Sequence, residues 1–362
     1  MRNTKLMVLV LTLLTAALPL SASAGLPARG KAKVAVIQVE GGKHEDPFLK
    51  SFDMAKVRPE MEEHIQRELD LFEQAGQQGA DIVCGPEDMQ HIGPYGLHME
   101  TRDPASGELL FTALAEPVPG PLIERIAAIA RKYKMYILAP IYEKADGKVY
   151  NSTVVFNRQG EIIGTHHKTH LPIMETWQVT PGEGYETFDT DFGRVAVATC
   201  WEIIFPEICS IYALKGADIV FHPTMGHEND PRASLATASR YVTRARDNFI
   251  YLAPVITGSD GNGIIDYHGK VVAEAVGQKN TVIMAEIDFS REPLSDSKWW
   301  NTINGTDNEK AMVFLSRNPA LFKYLTEQHP ELLERYKDIR MTNGVGKTEM
   351  QVKAMHEVDY GK

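Results

Sequence analysis

Cysteine is scarce in this chain: Cys84, Cys200 and Cys209 are its only three in 362 residues. That is too few for a small fold stapled by disulfides. The number is also odd, so at least one thiol is free or pairs between chains. A Cys84–Cys209 bridge stays open at this level. Beyond residue 20 there is no long apolar run, which excludes a membrane-spanning helix in the body of the chain. There is no basic block either, and the formal net charge is -10. An acidic chain of this kind is a poor binder of nucleic acid. Repeats, low-complexity tracts and a long interior linker are likewise missing.

The apolar run that does exist sits at the start. Arg2 and Lys5 precede Leu6 to Leu20, and the small residues Ala22-Ser23-Ala24 follow. This order reads as a secretory signal peptide over 1–24, short for a membrane span, with the mature chain starting near Gly25. An exported protein is expected, periplasmic or secreted. No cysteine follows the cleavage site, which argues against a lipid anchor. Losing Arg2 and Lys5, and no acid, takes the net charge from -10 to -12.

From there strands and helices alternate. Strands are expected at 33–39, 80–84, 135–142, 149–157, 161–165, 188–190, 195–200, 219–222, 249–256, 264–266, 271–275 and 281–287. Helices are expected at 59–78, 122–133, 206–215 and 232–248. Hairpins are mixed in, as at Arg158-Gln159-Gly160. The pattern points to layered α/β architecture with mixed sheets. The composition turns charged and helical near Arg291, so 291–362 reads as an extension that packs on the body or on a partner subunit.

Three polar residues stand where strands end: Glu87 after 80–84, Lys168 after 161–165, and Cys200 after the apolar run 195–199. Ligands collect at the carboxyl ends of strands in α/β sheets. A cysteine between a strand and the helix from Pro206 meets unpaired N–H groups and a positive helix end, and both are expected to lower its thiol pKa. Read singly, Cys200 could be a small core residue, Glu87 a solvated acid and Lys168 a surface lysine.

The ordered set of motifs resembles the nitrilase superfamily of carbon–nitrogen hydrolases. Pro86-Glu87, Lys168-Thr169-His170-Leu171-Pro172, and Cys200-Trp201-Glu202 with Phe205-Pro206-Glu207 carry the likeness. Tyr150-Asn151-Ser152-Thr153, Leu214-Lys215-Gly216-Ala217-Asp218, Arg244-Ala245-Arg246-Asp247-Asn248 and Gly258-Ser259 leading to Asp266 extend it over roughly 32–290. Gly85 departs from the aromatic residue more usual before the proline. The loop 88–118 and the tail match nothing in the family pattern.

The resemblance implies a four-layer α-β-β-α sandwich with a Glu87–Lys168–Cys200 triad, Glu175 as a fourth acid, and the Trp201 backbone N–H beside the nucleophile. It implies thiol chemistry on a small linear amide, with ammonia or an amine released. A nitrilase or an N-carbamoyl amidohydrolase is the alternative, and an inactive descendant serving as a binding module is an alternative of another class. No cofactor is expected. Nor is a metal, since His166, His167, His170, His222 and His227 lack zinc-site spacing. A papain-like signature around the cysteine is absent. The expected partners are a small amide or nitrile and a second copy of the chain, as a homodimer or larger homo-oligomer, with no membrane partner. Two sequons occur, at Asn151 and Asn304; the first falls in an expected strand and matches a family motif.

Overall fold

The computed structural model describes residues 25–41, 45–47, 49–172, 174–226, 234–258 and 260–327. Two mixed sheets form its centre. The first contains β1 (Lys31–Gln38), β2 (Ile82–Cys84), β3 (Glu116–Pro117), β4 (Tyr136–Ala145), β5 (Lys148–Phe156) and β6 (Ile162–His167). The second contains β7 (Thr187–Asp189), β8 (Arg194–Val197), β9 (Ile219–Thr224), β10 (Tyr251–Ile256), β11 (Asn262–Ile265) and β12 (Val271–Ala275). The last strand, β13 (Thr281–Asp288), returns to the first sheet beside β1. The orders are β13-β1-β2-β4-β5-β6, with β3 paired to β4, and β12-β11-β10-β9-β8-β7. In each sheet three neighbouring strands are parallel, β1-β2-β4 and β8-β9-β10.

The layers follow from side-chain alternation. On β1, Ala35 and Ile37 pack under α1 (Met54–Gln77), while Val34 and Val36 face the second sheet. The short α2 (Leu110–Leu114) lies in the long loop, and α3 (Pro121–Tyr133) joins α1 over the first sheet. On the second sheet, Val195, Val197 and Phe221 point inward. Ala196, Ala198, Val220 and Leu252 meet α4 (Pro206–Leu214) and α5 (Ser239–Asn248). The result is the expected α-β-β-α sandwich. Strands apolar on both faces are what a doubly covered sheet requires, and each buried Val, Leu or Ile contributes roughly 1.5–3 kcal/mol.

Beyond β13 come α6 (Lys298–Asn304), α7 (Glu309–Leu315) and a 3-10 segment, Pro319–Thr326. Buried Met312, with Phe314 against the α4–α5 core, docks α7 on the body. Residues 1–24, where a signal peptide is expected, and residues 328–362 lie outside the described residues. Among the described residues no helix is long and apolar enough to cross a membrane.

Three expectations shift. Helix α1 starts at Met54, capped by Asp53, with Pro59 inside it and not at its start. The helix expected from 232 begins only at Ser239, after a separate 3-10 turn, Leu235–Thr237. There Glu274 takes the Ser234 hydroxyl (2.8 Å) and the Leu235 N–H (2.9 Å), pinning the chain to β12. The third shift concerns cysteine. All three thiols are free, with Cys84 between the sheets and Cys209 on the buried face of α4, so the Cys84–Cys209 bridge left open is not formed.

Candidate active site

The strands converge their carboxyl ends on one place. Lys168 directly follows β6, and its N–H donates to Asn151 O (2.8 Å) on the neighbouring β5. Its own carbonyl accepts from Gly182 N (2.9 Å). A side chain at 182 is excluded, because a Cβ there would lie 2.2 Å from His167 O. This close approach folds the loop after β6 inward, and Lys168 ends 1% exposed.

Glu87, fully buried three residues past β2 of the first sheet, is held by loops of the second. Its Oε2 accepts from Met225 N (2.8 Å) past β9, and its carbonyl accepts from the Thr257 hydroxyl (2.7 Å) past β10. The next residue, Asp88, has a left-handed backbone (φ 66°) and accepts from the amides of Ile92 (2.9 Å) and Gly93 (2.7 Å). Burial pushes its carboxyl well up despite those two donors.

Between the acids lies the ammonium. Lys168 Nζ donates to Glu87 Oε1 at 3.0 Å and to Glu175 Oε2 at 2.6 Å. Asn151 Nδ2 bridges the same two carboxylates, 2.7 Å from each. Glu175 opens a 3-10 turn, Glu175–Trp177, and is mostly buried. Burial works against the charged lysine, but Glu87, Cys200 and Glu175 outweigh it and hold it protonated. Burial raises the Glu175 carboxyl in spite of Lys168.

Cys200 stands on a sharp elbow. The strand stops at Val197, not at Cys200, and a 3-10 turn, Cys200–Ile204, follows. Cys200 has φ 48°, a conformation worth roughly 1–3 kcal/mol of strain in a non-glycine residue. The elbow is clamped by Glu202, whose Oε2 accepts from Thr199 N at 2.6 Å. The first main-chain bond of the turn runs from Glu202 N to Thr199 O (3.0 Å), so the Trp201 N–H lies ahead of the turn's own hydrogen bonding.

The thiol departs from expectation. Its pKa is not lowered but pushed up to about 12, first by burial and next by Glu87. Lys168 and a hydrogen bond with Thr224 pull the other way and lose. Two carboxylates close by outweigh one ammonium, and a one-turn helix end cannot offset them. The resting nucleophile is therefore a thiol, with a carboxylate within electrostatic reach to receive its proton.

The structure thus gathers Glu87, Lys168, Glu175 and Cys200 at one place. Sequence reasoning gave Asn151 no role in the site; its place in the Tyr150-Asn151-Ser152-Thr153 motif on β5 was the available signal. Thr224 and the Met225 amide had none. The histidines are occupied elsewhere. His166 meets Glu186 and Glu202, His167 meets Glu143, His170 meets the Thr169 hydroxyl, and His222 meets Ala198 O. His227 lies outside the described residues, and among those described no group of three candidate ligands could hold a metal.

Fold and site together define a class, the hydrolases of carbon–nitrogen bonds other than peptide bonds. The family model described as Carbon-nitrogen hydrolase matches residues 33–292, and the chain belongs to that family, in the amidase-like branch of the nitrilase superfamily. It is 30% identical over 252 residues to omega-amidase NIT2 of Xenopus tropicalis, spanning 64% of this chain and 86% of that protein. It is 26% identical over 282 residues to a citrullinase of Francisella tularensis subsp. tularensis, spanning 71% and 90%. A carbon-nitrogen hydrolase from Helicobacter pylori G27 shares the fold, with TM-score 0.60, 20% identity, and coverage of 83% of this chain and 99% of that one.

Proposed function

We propose that this hydrolase cleaves a small linear amide through a thioester on Cys200 and releases ammonia or an amine. The observation that carries the reading is the buried Lys168, held by Glu87 and Glu175 beside a strained cysteine elbow. Glu87 takes the thiol proton as the sulfur attacks the carbonyl carbon, so the thiolate need not exist free in a site that disfavours it. Lys168 and the Trp201 N–H stabilise the oxyanion. Glu87 returns the proton to the departing nitrogen, the C–N bond breaks, and the thioester remains. Water then loses a proton to Glu87 and attacks; the C–S bond breaks, and the sulfur regains its proton. Glu175 holds Lys168 in place.

The omega-amidase and citrullinase relatives support a small amide substrate. A set of four site residues, all present and in contact or electrostatic reach, speaks against an inactive descendant. Trp299, Trp300, Leu315 and Leu321 on the C-terminal extension are exposed, which supports a homo-oligomer that covers them. The apolar leader supports export, with the mature chain starting near Gly25. Ammonia release from a panel of small amides, carbamoyl compounds and nitriles, with Cys200→Ala alongside, tests the reading. Amide turnover lost in Cys200→Ala is expected. Turnover of nitriles alone, or an active Cys200→Ala, would overturn it.

A further inference from the structure

Glu202 meets more of the site's scaffold than any role assigned so far requires. It is the third residue of the nucleophile turn and fully buried. Each of its carboxylate oxygens receives two donors. Oε2 takes Thr199 N (2.6 Å) and His166 Nε2 (2.9 Å); Oε1 takes Thr169 N (2.9 Å) and the Thr169 hydroxyl (2.6 Å). Thr199 immediately precedes Cys200, and Thr169 immediately follows Lys168. One carboxylate therefore ties the nucleophile elbow of the second sheet to the lysine loop of the first. His166, on β6, continues the chain: its Nδ1 meets Glu186 Oε2 at 3.0 Å. Glu186 is 40% exposed where His166 is 0%, so the buried row Glu202–His166–Glu186 opens to water at one end.

We propose that Glu202 is a positioning residue for amide cleavage, locking the Cys200 elbow against the Lys168 loop, and that His166, held by Glu186, supplies the cation that balances Glu202 in this lock. The proposal rests on Cys200 and Lys168 acting as nucleophile and oxyanion donor. A left-handed cysteine relaxes unless its surroundings hold it. Hydrogen bonds to a charged acceptor are the strong ones, and four of them converge on Glu202 to hold the elbow. Neutral His166 has one N–H for two carboxylates, so on losing its proton it can no longer donate to both Glu202 and Glu186, and the buried Glu202 charge loses its counter-charge. Burial opposes charge on His166, but Glu202 and Glu186 outweigh it, raising its pKa to about 9. His166 and two threonine-derived donor sets hold the Glu202 carboxyl low against the same burial.

The groups facing this row are few. On β6, His167 is turned to Glu143 at 2.9 Å. On β5, Thr153 stands opposite His166 and does not titrate in this range. From α4, Tyr212 presents its ring with centroids 6.5 Å apart, and buried Cys209 lies within reach of Glu202. Tyr185 precedes Glu186, and its phenol is raised by burial. His222, on β9, is held neutral by burial, its pKa at about 4. From α5, Arg244 directs its guanidinium to Ile203 O (3.2 Å) and Ile204 O (3.0 Å), and His170 meets the Thr169 hydroxyl (2.9 Å), so His166 is the cation bonded to Glu202 itself.

The test is kcat and KM for an amide between pH 6 and 10.5, each value normalised to Cys200 alkylated by iodoacetamide. Glu186→Gln removes a partly exposed acid that touches neither Cys200 nor Lys168. Its alkaline limb should move down by about one pH unit as His166 loses one of two carboxylates, with kcat at pH 6.5 and KM close to the parent. Glu202→Gln should lower kcat about a hundredfold with little change in KM, as a misplacement of reacting groups does. An unmoved alkaline limb in Glu186→Gln overturns the proposal, whether or not Glu202→Gln folds. So does a Glu202→Gln enzyme with kcat within threefold of the parent. An active Cys200→Ala enzyme would instead sink the reading beneath it; that control separates the two failures.

Discussion

Replacing Lys168 by methionine keeps the approximate length of the side chain and removes its charge and its N–H donors. The ammonium lies 3.0 Å from Glu87 and 2.6 Å from Glu175. At an effective dielectric of about 20, each contact is worth about 5–6 kcal/mol of attraction. Without it, two buried carboxylates share one Asn151 amide, and the pair binds a proton. That uptake limits the loss of stability to about 3–5 kcal/mol, the usual cost of breaking a buried pair from one side. The damage to chemistry is larger. Losing one oxyanion donor removes about 10²–10³ in rate. A shared proton on the Glu87–Glu175 pair also removes the acceptor for the Cys200 proton, and Lys168 no longer pulls the thiol pKa down. A fall in kcat of at least ~10³ is expected for Lys168→Met, with slower alkylation of Cys200 by iodoacetamide. Circular dichroism establishes that the variant is folded, and ammonia release gives kcat. A folded Lys168→Met enzyme within tenfold of the parent would refute the reasoning.

Glu175→Gln leaves Lys168 paired to Glu87 and Asn151 in place, so kcat should fall less than in Lys168→Met, about 10–10²-fold, read by the same ammonia assay. Gly182→Ala pushes a Cβ against the His167 carbonyl and displaces the loop that buries Lys168. Its kcat should drop with no substrate contact removed, and substrate titration would show KM nearly constant. Stability should depend on pH through His222, which burial holds neutral with a pKa at about 4. A histidine with a depressed folded pKa stabilises the fold above its unfolded value near 6.5 and loses that stabilisation as pH falls toward 4. Between pH 7 and 5 the loss from this group is about 2 kcal/mol. His222→Asn keeps a donor for Ala198 O and removes the titration. Urea unfolding at the two pH values should therefore show a gap between parent and variant that changes by about that amount.

The layers were legible because β1, β4, β8 and β9 are largely apolar on both faces and helical patterns recur between the strands. Such strands need cover on both faces, and the four-layer sandwich in particular followed from the family resemblance. The ends of elements were less so. Pro59 reads as a helix start, yet Asp53 caps the helix a turn and a half earlier. Ser234 and Leu235 read as helix until Glu274, forty residues away in sequence, claims them. Glu87, Lys168 and Cys200 were legible as strand exits carrying chemistry. The sense of the Cys200 titration was not. It depends first on how deeply the sulfur is buried and then on the charges around it, and Glu87 and Glu175 reach it through folding alone. Glu202 was legible only as one letter of a motif, since its four donors come from two sheets. Asn151 could be seen as part of the Tyr150-Asn151-Ser152-Thr153 motif, but the carboxylates it bridges could not.

The account turns on a covalent intermediate at Cys200. Mass spectrometry of protein quenched in acid during turnover of a small amide, after digestion, examines it directly. The peptide carrying Cys200 should gain the mass of the acyl group during turnover and lose it when the substrate is exhausted, while the Cys84 and Cys209 peptides stay unchanged. An acyl group on another residue, or steady turnover by protein in which Cys200 is fully alkylated, would contradict it.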